Sequence, residues 1–434
     1  MWRRKILVGV GIAAVVALVS GALVLVRRSE RPAIPDAVDL SVPLAVVELP
    51  DPPVGQWDRY NIVPLVDGRG FLVAGGGNSV DGYERPRPHN LEAALFRFST
   101  GAYELLPELP VKAGLGAGSG AVVGGPDEET VVVVGQDCPP GPEVSAVGIE
   151  FCSWGGSGAK VVLSWNTGEG SWTRHELPKK LEDFSPASPS VIGVDGGLVW
   201  LASETTGRVP RIASFDPSTG SFSEVIDGPA EQAGICLIGS DLLAFVTPAT
   251  TFVSDMKVSS WAFDGAAWQE LPSWGDVPTQ FTPSEALCTP QGYYSVVPTS
   301  ESFWSDLRWT ESAEAAKHAT FTEVGRFVNG LAGWRIGIRQ FGSDVLVGLS
   351  LQMPDLGSMM TTIPGDPPVD PSEMKTLPGN VTAGWNLVTP TGPVPVPGLS
   401  PDEWYAAVTI GDHVLIEVTD ASDDYDLLAL RTPV

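Results

Sequence analysis

The residue types best suited to chemistry lie in one stretch, NSVDGYERPRPHNLE (78–92), which gathers Arg85, Arg87 and His89 into a basic island. The chain around it is acidic, with 52 Asp and Glu against 26 Lys and Arg and a formal net charge of −26. Guanidinium forks match carboxylates, phosphates and acidic glycans, so these three residues form the candidate ligand-binding loop. The competing reading is a solvated loop whose arginines pair locally with Asp81, Glu84 and Glu92. DASDDYD (420–426) offers carboxylates to a calcium ion but lacks a calcium-loop spacing, and it reads more simply as a polar hairpin loop. The histidines His89, His175, His318 and His413 are scattered. No zinc pattern, nucleophile elbow or phosphate loop is present, so no catalytic residue, metal or cofactor is expected. Paired carboxylates for glycoside cleavage stay open, because separate parts of a fold could supply them. The acidity disfavours nucleic acid as a partner.

The four cysteines bear on location. Cys138 and Cys152 flank a Pro- and Gly-rich excursion, and closing a loop of that size stabilises a fold by about 3 kcal/mol. Cys236 and Cys288 are further apart but precede the turn of equivalent repeat units. A metal site is the competing reading, yet neither pair has knuckle spacing or a neighbouring His. Two disulfides over Cys138, Cys152, Cys236 and Cys288 would require an oxidising compartment.

From Ile6 to Val26 no side chain is charged. As a helix rising about 1.5 Å per residue, this run matches the hydrocarbon thickness of a bilayer. Arg3, Arg4 and Lys5 precede it, and Arg27, Arg28 and Arg31 follow it, so flanking charge orients it only weakly. A cleaved signal peptide is the rival, with Val19-Ser20-Gly21 as its best processing site, but the apolar run is long for one. The expected organisation is a cytoplasmic stub and transmembrane helix over 1–28 (span 6–26), a linker over 29–40, and an extracytoplasmic domain over 41–434.

What must position these groups is a repeat. A Gly or Asp turn entering an apolar run recurs at Val66–Gly76, Gly125–Gly135, Val194–Ala202 and Ile238–Val246. It continues at Thr289–Val297, Phe341–Ser350 and Ile410–Val418. Each copy has the pattern of a tight hairpin and is followed by two further strand-like segments, such as ALFRFSTGAYELLPELP and VLSWNTGEGSWTRHELP. Such repetition implies an all-β, seven-bladed β-propeller behind one N-terminal transmembrane helix. LAVVELP (Leu44 to Pro50) resembles an outer strand and is expected to pair with the last unit, which ends short of one. Long segments between second and third strands (78–92, 136–159 and 351–383) belong to units that a ring places side by side, and mark the expected binding surface. The third of these carries Met353, Met359 and Met360 among prolines, suited to an adaptable contact.

ASFDPSTGSFSEV, with FLVAGGG in the first unit, resembles the kelch repeat. Phe215, Asp216, Pro217, Thr219 and Phe222 match its aromatic-Asp-Pro turn, and Gly75 and Gly76 its Gly doublet. The resemblance implies a propeller in which Phe98, Trp165, Phe215, Phe263, Trp309 and Trp385 pack between blades. Arg-over-Lys bias with Ala, Gly, Val and Pro richness suggests a bacterial source. The expected role is a binding or scaffold module of the cell envelope, with envelope proteins or glycans as partners. The alternative is a carbohydrate-active or other hydrolytic enzyme using channel-mouth carboxylates.

Overall fold

The computed structural model describes residues 34–42, 45–53, 60–75, 91–111, 115, 118–125, 128–137, 159–182, 189–203, 208–231, 233–246 and 259–271, together with strands up to residue 431. The span expected over 6–26 lies outside them. Among the described residues no helix is long and apolar enough to cross a membrane.

The described chain is all-β. It begins with a short strand, β1 (Val46–Glu48), and then forms four-stranded antiparallel meanders. Sheet 1 is β2 (Tyr60–Pro64), β3 (Gly70–Gly75), β4 (Leu91–Arg97) and β5 (Ala102–Leu109). Sheet 2 is β6 (Ser119–Gly125), β7 (Glu128–Asp137), β8 (Ala159–Asn166) and β9 (Ser171–Glu176), followed by the single-turn helix α1 (Lys179–Glu182). Sheet 3 is β10 (Ser190–Asp195), β11 (Leu198–Ser203), β12 (Arg211–Asp216) and β13 (Ser221–Phe222), with β14 (Ile226–Asp227) also on β12.

Sheet 4 is β15 (Ala233–Ile238), β16 (Asp241–Val246), β18 (Ser259–Phe263) and β19 (Trp268–Glu270). A ribbon of β17 (Asp255–Met256) and β20 (Val277–Pro278) brackets β18 and β19 in the chain. Sheet 5 is β21 (Ala286–Thr289), β22 (Gly292–Pro298), β23 (Trp304–Thr310) and β24 (Thr322–Val328). Sheet 6 is β25 (Trp334–Phe341), β26 (Asp344–Leu351), β27 (Gly384–Thr389) and β28 (Gly392–Pro395). Sheet 7 takes β29 (Ala407–Ile410), β30 (His413–Thr419) and β31 (Tyr425–Arg431) from the far end of the chain. Its fourth strand is β1, with Val46 opposite Leu430 and Glu48 opposite Leu428. The closing strand is thus shorter than the segment Leu44 to Pro50, but it pairs where the sequence places it.

Each of the turns expected from the sequence joins the first two strands of one sheet. The reason is visible in the backbone: Gly68 at φ 78° and Gly411 at φ 55° occupy the left-handed region that a side chain disfavours. The apolar runs that follow do not alternate with polar residues, because both faces of the strand are covered where the side chains are described. In β7, Val131 and Val133 pack toward sheet 1 while Val132 and Val134 pack toward sheet 3. In β3, Leu72 and Ala74 face sheet 2, whereas Phe71 and Val73 face sheet 7. Period-two geometry therefore sends one apolar run into two interfaces. Removing a side chain such as Leu72 from water on folding contributes about 1.5–3 kcal/mol. The first strands of successive sheets touch in chain order from β2 through β6, β10, β15, β21 and β25 to β29.

This meander has two ends. First-to-second and third-to-fourth strand hairpins lie at one, here called the turn end. Second-to-third connections and the passages between sheets lie at the other, the loop end.

Candidate functional site

The basic island Arg85, Arg87 and His89 lies outside the described residues, as do Cys138 and Cys152. What is described is the frame from which those segments depart: β3 ends at Gly75 and β4 begins at Leu91, and β7 ends at Asp137 before β8 begins at Ala159. In sheet 6, β26 ends at Leu351 and β27 begins at Gly384. All of these segments leave the loop end. β7 runs on to Asp137, so Gln136 belongs to the strand and is buried there, not in the connection. The reason is that Gln136 and Asp137 still have partners on β8, in Lys160 and Ala159.

Cys236 is buried in β15 and disulfide-bonded. Cys288 lies on β21, a strand that touches β15, although its side chain is outside the described set.

The aromatics play the packing role expected of them where they are described. Phe98, Trp165 and Phe215 are buried between sheets, and Phe263 is partly so. The side chains of Trp309 and Trp385 lie outside the described set. In sheet 3, Phe215 stands across from Phe222 with ring centroids 4.8 Å apart. Asp216 holds the intervening turn by accepting from Ser218 N at 2.9 Å and Ser218 Oγ at 2.6 Å. The Ser218 hydroxyl bond keeps the Asp216 carboxyl below its usual range.

The charged residues that the structure brings together are others, and they sit at the turn end between sheets 1 and 2. Glu129, at the start of β7, is held by two guanidinium groups. Arg97 Nη1 lies 2.6 Å from its Oε2, and Arg69 Nη1 donates to its Oε1 at 3.0 Å. Arg97 also donates from Nε to Glu104 at 3.1 Å, and Arg69 donates from Nη2 to the Gly124 carbonyl at 3.0 Å. With side-chain exposures of 11% for Glu129 and 18% for Arg97, this pair is well shielded from water. Such shielding makes it stronger than a surface pair and costly to break.

Asp67 completes the group. Its Oδ2 lies 3.2 Å from Arg69 Nε, yet neither of its buried oxygens accepts a hydrogen bond of good geometry. Burial pushes its carboxyl up to about 6, against the nearby charge of Arg69. Sequence reasoning missed this cluster, because Arg69 and Glu129 are 60 residues apart and each looks like an ordinary turn residue. The only signal available was a charged residue beside the turn glycine in VDGRG.

A second polar pair joins β8 and β9, where Ser164 Oγ and His175 Nε2 are 2.8 Å apart. Burial lowers the His175 pKa, so the imidazole is neutral near pH 7. Ser164 is buried and Phe215 lies edge-on to the His175 ring at 4.8 Å, which makes the pair an inter-sheet contact rather than an exposed nucleophile. Among the described residues no group of three His, Cys, Asp or Glu could hold a metal ion. DASDDYD falls between β30 and β31, with Tyr425 and Asp426 inside β31.

No protein-family model matches this sequence, and no curated protein does either. Among solved structures, the chain is similar to the β-propeller domain of the Trilobed protease from Pyrococcus furiosus, at 8% identity and a TM-score of 0.45. That likeness covers 86% of this chain and 95% of the other. An oligogalacturonate lyase in complex with manganese is similar at 11% identity and a TM-score of 0.38, covering 92% of this chain and 96% of that one. A polysaccharide lyase of family PL25, an ulvan lyase, is similar at 11% identity and a TM-score of 0.36, covering 67% and 76%. At these values the likenesses say nothing of activity. The meandering sheets and their order of contact define the class: this is a β-propeller module.

Proposed function

We propose that the module is a closed, seven-bladed ring held outside the cytoplasm by a span over 6–26, and that it serves as a binding or scaffold domain of the cell envelope. One observation carries the binding role. The longest second-to-third strand connections leave sheets 6, 1 and 2 at the same end, bounded by Leu351 and Gly384, Gly75 and Leu91, and Asp137 and Ala159. Sheet 7 alone separates sheets 6 and 1, so the strand ends that bound these connections stand in one sector. Envelope proteins or acidic glycans are the proposed partners, the latter through Arg85, Arg87 and His89. The oxidising location is supported by the bonded Cys236, for which Cys288 on the touching strand is the proposed partner. The kelch-like turn of sheet 3 is kept as a likeness of architecture.

The test is photo-crosslinking of the full chain in its native membrane, beside a variant in which the three connections are replaced by short Gly-Ser turns. Defined crosslinked species should disappear from the variant while its melting temperature stays unchanged. An identical crosslinking pattern in both would sink the binding role.

Asp67 is the observation that favours the hydrolytic alternative, since its raised carboxyl is what an acid catalyst needs. Against that alternative, Glu129 beside the same arginine is neutralised by two guanidinium groups.

A further inference from the structure

The path of the chain into the ring gives its direction. Two independent contacts place Val38 and the start of β1 at the turn end. Val38 N donates to the Gly101 carbonyl at 2.9 Å, and Gly101 is in the hairpin turn between β4 and β5. β30 starts at the turn after Ile410 and β31 returns toward it, so β1, antiparallel to β31, enters sheet 7 from the turn end. Leu40, between these anchors, is buried with Phe71, Phe98 and Ile410. The entering segment is therefore fixed to both sheet 1 and sheet 7.

Resting on the reading of 6–26 as a membrane span, we infer that the turn end of the ring faces the bilayer and that the loop end points away, toward a partner in the aqueous compartment. Chain length is the argument. From Val26 to Val38, the first residue bonded to the ring, there are twelve residue steps, which reach at most about 43 Å when fully extended. A strand of seven residues such as β30 is about 23 Å long. With the loop end against the membrane, the tether would have to run the height of the ring as well, which takes more than half of that fully extended reach. With the turn end inward, no such run is needed.

Charge agrees with a short stand-off. The turn end exposes Glu128, Glu169, Asp241, Asp264 and Asp412, while its arginines Arg69 and Arg97 are already paired. These acids disfavour direct contact with anionic headgroups, and Arg27, Arg28 and Arg31 fall in the tether between the two. The acidic end is held near the bilayer without lying on it.

The orientation is measured on the full chain reconstituted in vesicles. Single cysteines are introduced at the turn end (Glu169→Cys, Asp264→Cys) and at the loop end (Lys180→Cys, Glu231→Cys), all at exposed positions. Each is labelled without reduction, and energy transfer to an acceptor lipid is read. Given a height difference of about 23 Å, the turn-end labels should transfer about twofold or more strongly than the loop-end labels. Equal or reversed transfer overturns the orientation while leaving the anchor in place. Failure of the unmodified chain to float with vesicles after carbonate washing overturns the anchor itself, and the orientation with it.

Discussion

The seam between sheets 1 and 2 and the seam between sheets 7 and 1 solve the same packing problem by different means. Sheets 1 and 2 are consecutive in the chain, and their interface is aliphatic: Leu72, Leu95, Val131 and Val133 fill it, with the Arg69–Glu129–Arg97 group closing its turn end. Sheets 7 and 1 hold opposite ends of the domain, so connectivity gives them nothing. Their interface is aromatic and backbone-tight instead. Phe71, Phe96, Phe98 and Tyr103 pack together, and the His413 ring stacks on Phe98 at 3.9 Å and 6°. The turns touch at Gly68 and Gly411, where a Cβ on Gly411 would lie 2.5 Å from Gly68 Cα. β1 adds a ladder across the chain ends. A seam between distant parts of a chain must offset a larger loop-closure entropy. Rings with large buried area and a strand shared between chain ends supply that with no charged group among the described side chains of the cluster.

This contrast can be broken at several points. Phe71→Ala empties the aromatic seam and should cost about 3–5 kcal/mol by urea denaturation, more than any change at the charged seam. A loss under about 1 kcal/mol would mean the seam is not closed as described.

Gly411→Val places a branched side chain at positive φ against the Gly68 backbone. The left-handed penalty and the overpacking together should cost about 3 kcal/mol, read as a lowered melting temperature. Gly239→Val, at φ 60° with nothing within 4 Å of an added Cβ, serves as the control that carries the left-handed penalty alone and should cost less.

At the charged seam, Glu129→Gln leaves two arginines facing a neutral amide and should cost about 2–3 kcal/mol. Because the pair is shielded, the loss should persist at 0.5 M salt, at roughly that concentration's short Debye length. Full recovery in salt would show a solvent-screened surface pair.

Asp67 gives the most diagnostic effect. Its folded carboxyl titrates at about 6, raised from 3.8 by burial, so the folded state holds its proton more tightly than the unfolded chain does. The stability this confers is complete below pH 3.8, falls as pH rises through about 6, and is gone above. The loss is at most about 3 kcal/mol. Asp67→Asn should remove that slope between pH 3.8 and about 6, and should stabilise the domain at neutral pH. An unchanged slope would place the titration on another group.

The elements were legible where local chemistry decides them. VDGRG, GSDLLAFV and GDHVLIEV announce their hairpins because a turn glycine followed by an unbroken apolar run has few other solutions. Phe98, Trp165 and Phe215 were legible as packing residues for the same reason. Arg69, Arg97 and Glu129 were not, since a charged residue beside a turn looks alike whether it meets water or a neighbouring sheet.

From its own pattern, the amino-acid sequence determined an all-β chain of repeated hairpins, a span-length apolar run and a closing strand near Leu44 to Pro50. Tertiary structure alone decided which alternate face of each valine run meets which neighbour, and that Glu129 would be shared by two arginines. It also decided that the chain enters at the turn end. The physical reason is range: backbone preference and hydrophobic period act over a few residues, whereas the pairing of β1 with β31 and of Arg69 with Glu129 exists only once the sheets stand side by side.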